Sequence, residues 1–114
     1  MSIRGKKDLN PVFIRGFPKS DIINLDITIA KFVYPRLIAF KAVGECFPTG
    51  TSLEEWHVIL DKMIFAMRIV MNYDNHEETE KCRNELHFDS DGDLWEAVGE
   101  GLDLFGKYFC ALWT

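Results

Sequence analysis

The strongest constraint on this chain is the start of one helix. Ser52 and Glu55 form an S-x-x-E box, in which hydroxyl and carboxylate each satisfy a backbone N–H that the first helical turn leaves without a partner. The helix that this box opens is apolar on two sides. At about 100° per residue, Leu53, Trp56, Ile59, Leu60, Met63, Ile64, Met67, Val70 and Met71 share one broad arc, the kind of face a helix buries in a core. Val58, Phe65 and Ile69 fall nearly opposite. A helix apolar on two sides lies either at the centre of its fold or in a subunit interface. The polar stretch after Tyr73 ends it.

Two further long helices flank this one. The first spans Asn24 to Val43, with Asp21 or Asn24 able to cap its start and Gly44 its end. Pro35 in its interior predicts a kink or break near Tyr34. Leu25, Ile29, Phe32, Val33, Leu37 and Phe40 define its apolar arc, with Arg36 near the centre and Asp26 at the edge. A charge on a core face needs a partner. Either Arg36 pairs with an acid such as Asp61, or it points into a pocket that receives an anion. The last helix runs from about Asp93 to Trp113, with Leu94, Val98, Leu102, Phe105, Phe109 and Leu112 on one face. Gly99, Gly106 and Cys110 form a strip beside that face. Each glycine costs a helix up to about 1 kcal/mol, so the strip suggests either close approach by another backbone or a tolerated bend.

The remainder is connection. Residues 1–20 carry Gly5, Pro11, Gly16 and Pro18 around a short apolar piece, Val12-Phe13-Ile14, and read as an extended arm with either one short strand or a packed extended piece. Between the second and last helices, Glu77 to Leu86 can form a short helix and His87 to Asp93 a turn.

Composition excludes several classes. With 114 residues, 47% of them apolar, the chain suits one domain with a real core and is too apolar for a disordered segment. The net charge is -5, and the cluster Arg4, Lys6 and Lys7 at the N-terminus is the one basic concentration, so a nucleic-acid partner is not expected. No run reaches the ~18 apolar residues of a membrane span. Cys46, Cys82 and Cys110 are odd in number and widely spaced. With no secretory leader pattern, they predict free thiols in a reducing, cytoplasmic compartment.

Motifs for chemistry are absent or incomplete. HFDSDGDLWEAV places Gly92, Asp89 and Asp91 like an EF-hand loop, but its last ligand position holds Val98 where calcium needs a bidentate carboxylate. His57, His76 and His87 have no zinc-site spacing relative to the cysteines. There is no phosphate loop and no nucleophile signature, so neither an enzyme nor a cofactor is expected.

Three blocks resemble a group of small phage and prophage proteins. They are Leu25-Asp26 with Ile29-Ala30-Lys31-Phe32 and Pro35-Arg36-Leu37; Glu54-Glu55-Trp56 with Ile59-Leu60-Asp61-Lys62-Met63-Ile64; and Gly101 to Phe109 with Leu112-Trp113. The resemblance implies a phage-encoded protein acting in the bacterial host cytoplasm, and it implies no catalytic residue.

The sequence therefore predicts an all-α fold. Residues 21–114 would form one compact bundle of three long helices and a short one, preceded by an arm over 1–20, and assemble as a homo-oligomer through the second face of the middle helix or the glycine strip. Two functions fit. In the first, an accessory protein counters host defence by sequestering a nucleotide-derived signal, with Arg36, Lys62 and Lys107 meeting phosphates and Tyr34, Trp56 or Tyr108 stacking on a base. In the second, an inhibitor or adaptor docks on a host or phage protein through Asp89, Asp91 and Asp93 with Phe88 and Trp95.

Overall fold

The computed structural model describes residues 12–86, 88 and 91–113, and its architecture is a helical bundle. Strands β1 (Phe13–Ile14) and β2 (Phe17–Pro18) pair antiparallel, with Ile14 opposite Phe17. Arg15 and Gly16 turn the hairpin, both at positive φ (52° and 90°). That geometry is a type I′ turn, which matches strand twist and calls for glycine at its second position. Helices succeed it in the order α1 (Lys19–Ile23), α2 (Leu25–Val43), α3 (Leu53–Met71), α4 (His76–Glu85) and α5 (Asp91–Lys107), and a single 3-10 turn, Phe109–Ala111, closes the chain.

Side-chain caps mark the starts of α3 and α4. Ser52 Oγ accepts from the Glu55 backbone N–H at 3.1 Å, and Glu55 Oε1 accepts from the Ser52 N–H at 2.8 Å. Asn75 caps α4 in the same way, accepting from the Glu78 N–H at 3.1 Å. Asn24 makes no side-chain cap on α2. Helix α2 runs through Pro35 without a break. Helix α5 stops at Lys107, six residues short of the expected end, and beyond the 3-10 turn's start Ala111 and Leu112 pack against the α2–α3 core.

Helix α3 is the central element, packed by α2 on one side and α5 on the other. Its first face, Trp56, Leu60, Met63 and Met67, closes a core with Ala30 and Leu37 of α2. Its second face, Ala66 and Ile69, joins Cys82 of α4 with Leu94 and Val98 of α5. Each large side chain fully buried here contributes roughly 1.5–3 kcal/mol. Of the second apolar stripe, Ile69 is buried, Phe65 packs against that core and Val58 is exposed. The stripe therefore reflects a central position, and two of its three residues are covered within the chain.

The outer helices differ from their expected phases. On α2 the buried positions are Ile27, Ala30 and Leu37, while Leu25, Ile29 and Phe32 are 50%, 48% and 60% exposed. With one long neighbour to pack against, α2 can bury only a narrow side of its wide apolar arc. On α5 the buried side runs Leu94, Val98 and Gly101, and Leu102 is exposed. A Cβ on Gly101 would fall onto the Lys62 carbonyl oxygen and within 2.6 Å of Ala66 Cβ, whereas one on Gly99 or Gly106 would meet nothing within 4 Å. Close backbone approach thus occurs at a glycine outside the expected strip. Hydropathy cannot flag it, because glycine has no side chain to score.

Helix α4 is held by one arginine and one thiol. Arg68 of α3 reaches Glu78 Oε1 at 3.2 Å and Glu85 Oε1 at 3.9 Å. Burial alone would lower the Arg68 pKa, but the Glu78 hydrogen bond and the neighbouring groups outweigh it and raise the value. Beneath them Cys82 is fully buried, and desolvation pushes its thiol pKa up against the opposing pull of Arg68. Cys46 and Cys110 are exposed.

This packing sets two expected outcomes. Gly101→Ala should destabilise the protein by about 3 kcal/mol, since rigid backbone blocks the added methyl. Gly99→Ala should be neutral or stabilise by up to about 1 kcal/mol, and chemical denaturation compares the two. The raised Cys82 pKa favours the neutral thiol in the fold. Stability tied to it is therefore complete below about pH 8.5, the ordinary cysteine value, and is lost as pH rises from there towards the raised folded value. Denaturation midpoints between pH 8 and 10 should fall more steeply for the wild type than for Cys82→Ala, and native thiol titration should find Cys46 and Cys110 fast and Cys82 slow.

Candidate docking groove

Two local features position a groove on one outer face. Helix α5 ends with Tyr108 at φ −106°, ψ 14°, and the adjoining 3-10 turn carries Phe109 and Leu112 towards α2. Phe105 and Phe109 meet edge to face, with ring centroids 5.6 Å apart at 74°. Across from them lie Phe32, Val33, Leu37 and Phe40 of α2. Together these side chains and Arg36 line an open groove of about 230 Å3.

Arg36 is the single charge in this lining. Pro35 has no N–H, so the Lys31 carbonyl one turn earlier loses its helical donor. Beside that gap the Arg36 Nη1 donates to the Phe32 carbonyl at 2.9 Å. Its guanidinium carbon stands 3.7 Å from the centroid of the Phe32 ring, a cation–π contact that holds the group at the rim. Among the described residues no carboxylate pairs with Arg36, because Asp61 is taken by Lys41 at 2.7 Å. The expected Arg36–Asp61 pair is therefore replaced by Lys41–Asp61, and Arg36 opens onto a cavity.

The other five predicted ligand residues sit elsewhere. Trp56 is 2% exposed inside the α2–α3 core, too enclosed to stack on a base. Tyr34 and Tyr108 pack half-buried against that same core. Tyr108 meets Trp56 edge to face at 5.5 Å, and Lys107 Nζ lies 5.2 Å from the Tyr108 ring centroid. Lys62 pairs with Glu100 at 2.8 Å across the α3–α5 seam. Thus Trp56, Tyr108 and Lys107 form one cluster, Lys62 belongs to an inter-helix pair, and none of the five lines the Arg36 groove.

Of the predicted acidic, aromatic surface, Phe88, Asp93 and Trp95 have described side chains. Phe88 packs on Phe65 with centroids 5.7 Å apart, so it closes the second core. Trp95 is 39% exposed and meets Tyr73 edge to face at 6.0 Å. Asp93 is exposed on α5; Asp89 and the Asp91 side chain lie outside the described residues. Among the described residues no group of three His, Cys, Asp or Glu could hold a metal ion, and no helix is long and apolar enough to cross a membrane.

Phe105, Phe109 and Leu112 are groove residues that the sequence placed together on one apolar face of the last helix without marking them as a site. The available signal was aromatic density at the end of a helix rich in glycine. Comparison with family models, with curated proteins and with solved structures finds no match for this chain.

The placement separates structural from surface roles. Trp56→Ala should cost about 3–5 kcal/mol, as loss of a buried ring does. Arg36→Ala should leave stability within about 1 kcal/mol, because its guanidinium packs on an exposed ring. Urea unfolding of the two variants measures both.

Proposed function

We propose that this protein is a protein-docking module, with the Arg36 groove as its working surface. The reading rests on one observation: a guanidinium without a carboxylate partner among the described residues, held by Phe32, in a groove whose other seven lining residues are apolar. Such a surface fits an amphipathic helix with apolar anchors at i, i+3 or i+4 and i+7 and a carboxylate opposite Arg36. The apolar walls supply affinity, while the arginine sets register and rejects basic partners. The resemblance to phage proteins suggests a host or phage protein as the source of that helix.

Sequestration of a nucleotide-derived signal finds less support. The phosphates of a nucleotide-like ligand need several cations around one cavity, and here a single cation meets apolar walls, with the candidate stacking rings engaged in or against the core.

A pair of designed amphipathic helical peptides tests the docking reading. They share leucine anchors and differ by Glu or Lys at the central polar position. Titration calorimetry should show the Glu peptide binding at least about tenfold tighter, and Arg36→Glu should reverse that order. Phe109→Asp should weaken both. Equal affinity of the two peptides for the wild type, or binding unaffected by Phe109→Asp, would remove the groove as the docking surface.

A further inference from the structure

A second cavity lies at the other end of α5 from the Arg36 groove, and the two share no lining residue. Tyr73 follows the end of α3, its backbone N–H donating to the Val70 carbonyl at 3.1 Å, and Trp95 lies near the start of α5. Their rings stand at 67° with centroids 6.0 Å apart, so they form two walls of a corner. Both stay open to solvent, Tyr73 at 64% and Trp95 at 39% exposure. One side of α4 supplies a third wall, where His76, Thr79, Glu80 and Arg83 recur at helical spacing. The cavity between these walls measures about 220 Å3. Pockets that enclose a whole drug-sized ligand run to ~300–1,000 Å3, so this one takes a head group.

Charge and hydrogen bonding select that head group. Glu80 is engaged by Arg83 one turn on, whereas among the described residues the Asp74 carboxylate in the lining has neither an ion pair nor a hydrogen bond. The Thr79 hydroxyl donates to the Asn72 carbonyl at 3.1 Å. Two rings beside an unpaired carboxylate attract positive charge, because aromatic faces are negative. The chain's net charge of -5 favours the approach of a cation. A bare ammonium or guanidinium needs an acceptor for every N–H, and this lining offers chiefly one carboxylate. A methylated ammonium carries its charge inside an apolar shell and needs few acceptors or none. We propose that the Tyr73–Trp95 corner binds a methylated ammonium group, with the rings against its methyls and Asp74 as the counter-charge. The proposal does not rest on the docking reading of the groove.

The experiment is an NMR titration of the 15N-labelled full chain with choline, at about pH 8, above the ordinary histidine range. It follows the indole N–H signals of the three tryptophans, Trp56, Trp95 and Trp113. The control ligand is 3,3-dimethyl-1-butanol, which has the shape of choline without its charge. Choline should shift the Trp95 signal at millimolar concentration, leave Trp56 and Trp113 in place, and bind about tenfold tighter than the alcohol. Tyr73→Leu and Asp74→Asn, both at exposed positions, should each weaken choline by roughly three- to tenfold with unchanged circular dichroism. Asp74→Asn should leave the affinity for the alcohol as it was. A peptide bearing Nε-trimethyl-lysine that binds tighter than choline places the group on a protein; a weaker one places it on a free small molecule. No shift at Trp95, equal affinity for choline and the alcohol, or choline binding untouched by both variants would each overturn the proposal.

Discussion

The approach of α5 to α3 at Gly101 governs the arrangement of the bundle. With no side chain at that position, the α5 backbone comes down onto the Lys62 carbonyl and Ala66. The two helices then enclose Ile69, Leu94 and Val98 against Cys82. Having α5 on one side and α2 on the other, α3 buries both of its apolar faces. The cost falls on α2 and α5, since each has one long neighbour and keeps an outer side open. The groove lies where those two open sides converge, at the turn that ends α5.

Apolar burial, more than charge, supplies the cohesion. Lys41–Asp61 ties α2 to α3 and Lys62–Glu100 ties α3 to α5, but all four side chains are about a third or more exposed. Such pairs contribute roughly 0–1 kcal/mol, less than a single buried side chain such as Met63 or Leu60. Their value is positional. They engage Asp61 and Glu100 along the two seams, and among the described residues Arg36 has no carboxylate partner beside the apolar lining of the groove.

Arg36 shows how far residues alone could be read. A cation in the middle of an apolar arc is a visible misfit, and both of its readings, a paired core charge or a charge in a pocket, are open before any fold is known. Choosing between them required knowing that Lys41 reaches Asp61 first. The aromatic residues were less legible. Trp56, Tyr34 and Tyr108 have ring chemistry suited equally to stacking on a ligand and to filling a core. Only their enclosure between α2, α3 and the end of α5 decides for the core.

Elements whose cause is local were set by residues near in sequence: the α3 capping box, the Asn-rich stop after that helix, and the all-α class. Their hydrogen bonds close within a few residues, so no distant contact is needed to determine them. The phase of α2, the end of α5 and the burial of α3 on its second side were decided only by tertiary structure. Apolar residues on α2 and α5 cover more than one face, and periodicity cannot say which face meets a neighbour. That choice depends on where backbones can approach most closely, and for α5 it is set by the missing side chain of Gly101 against α3.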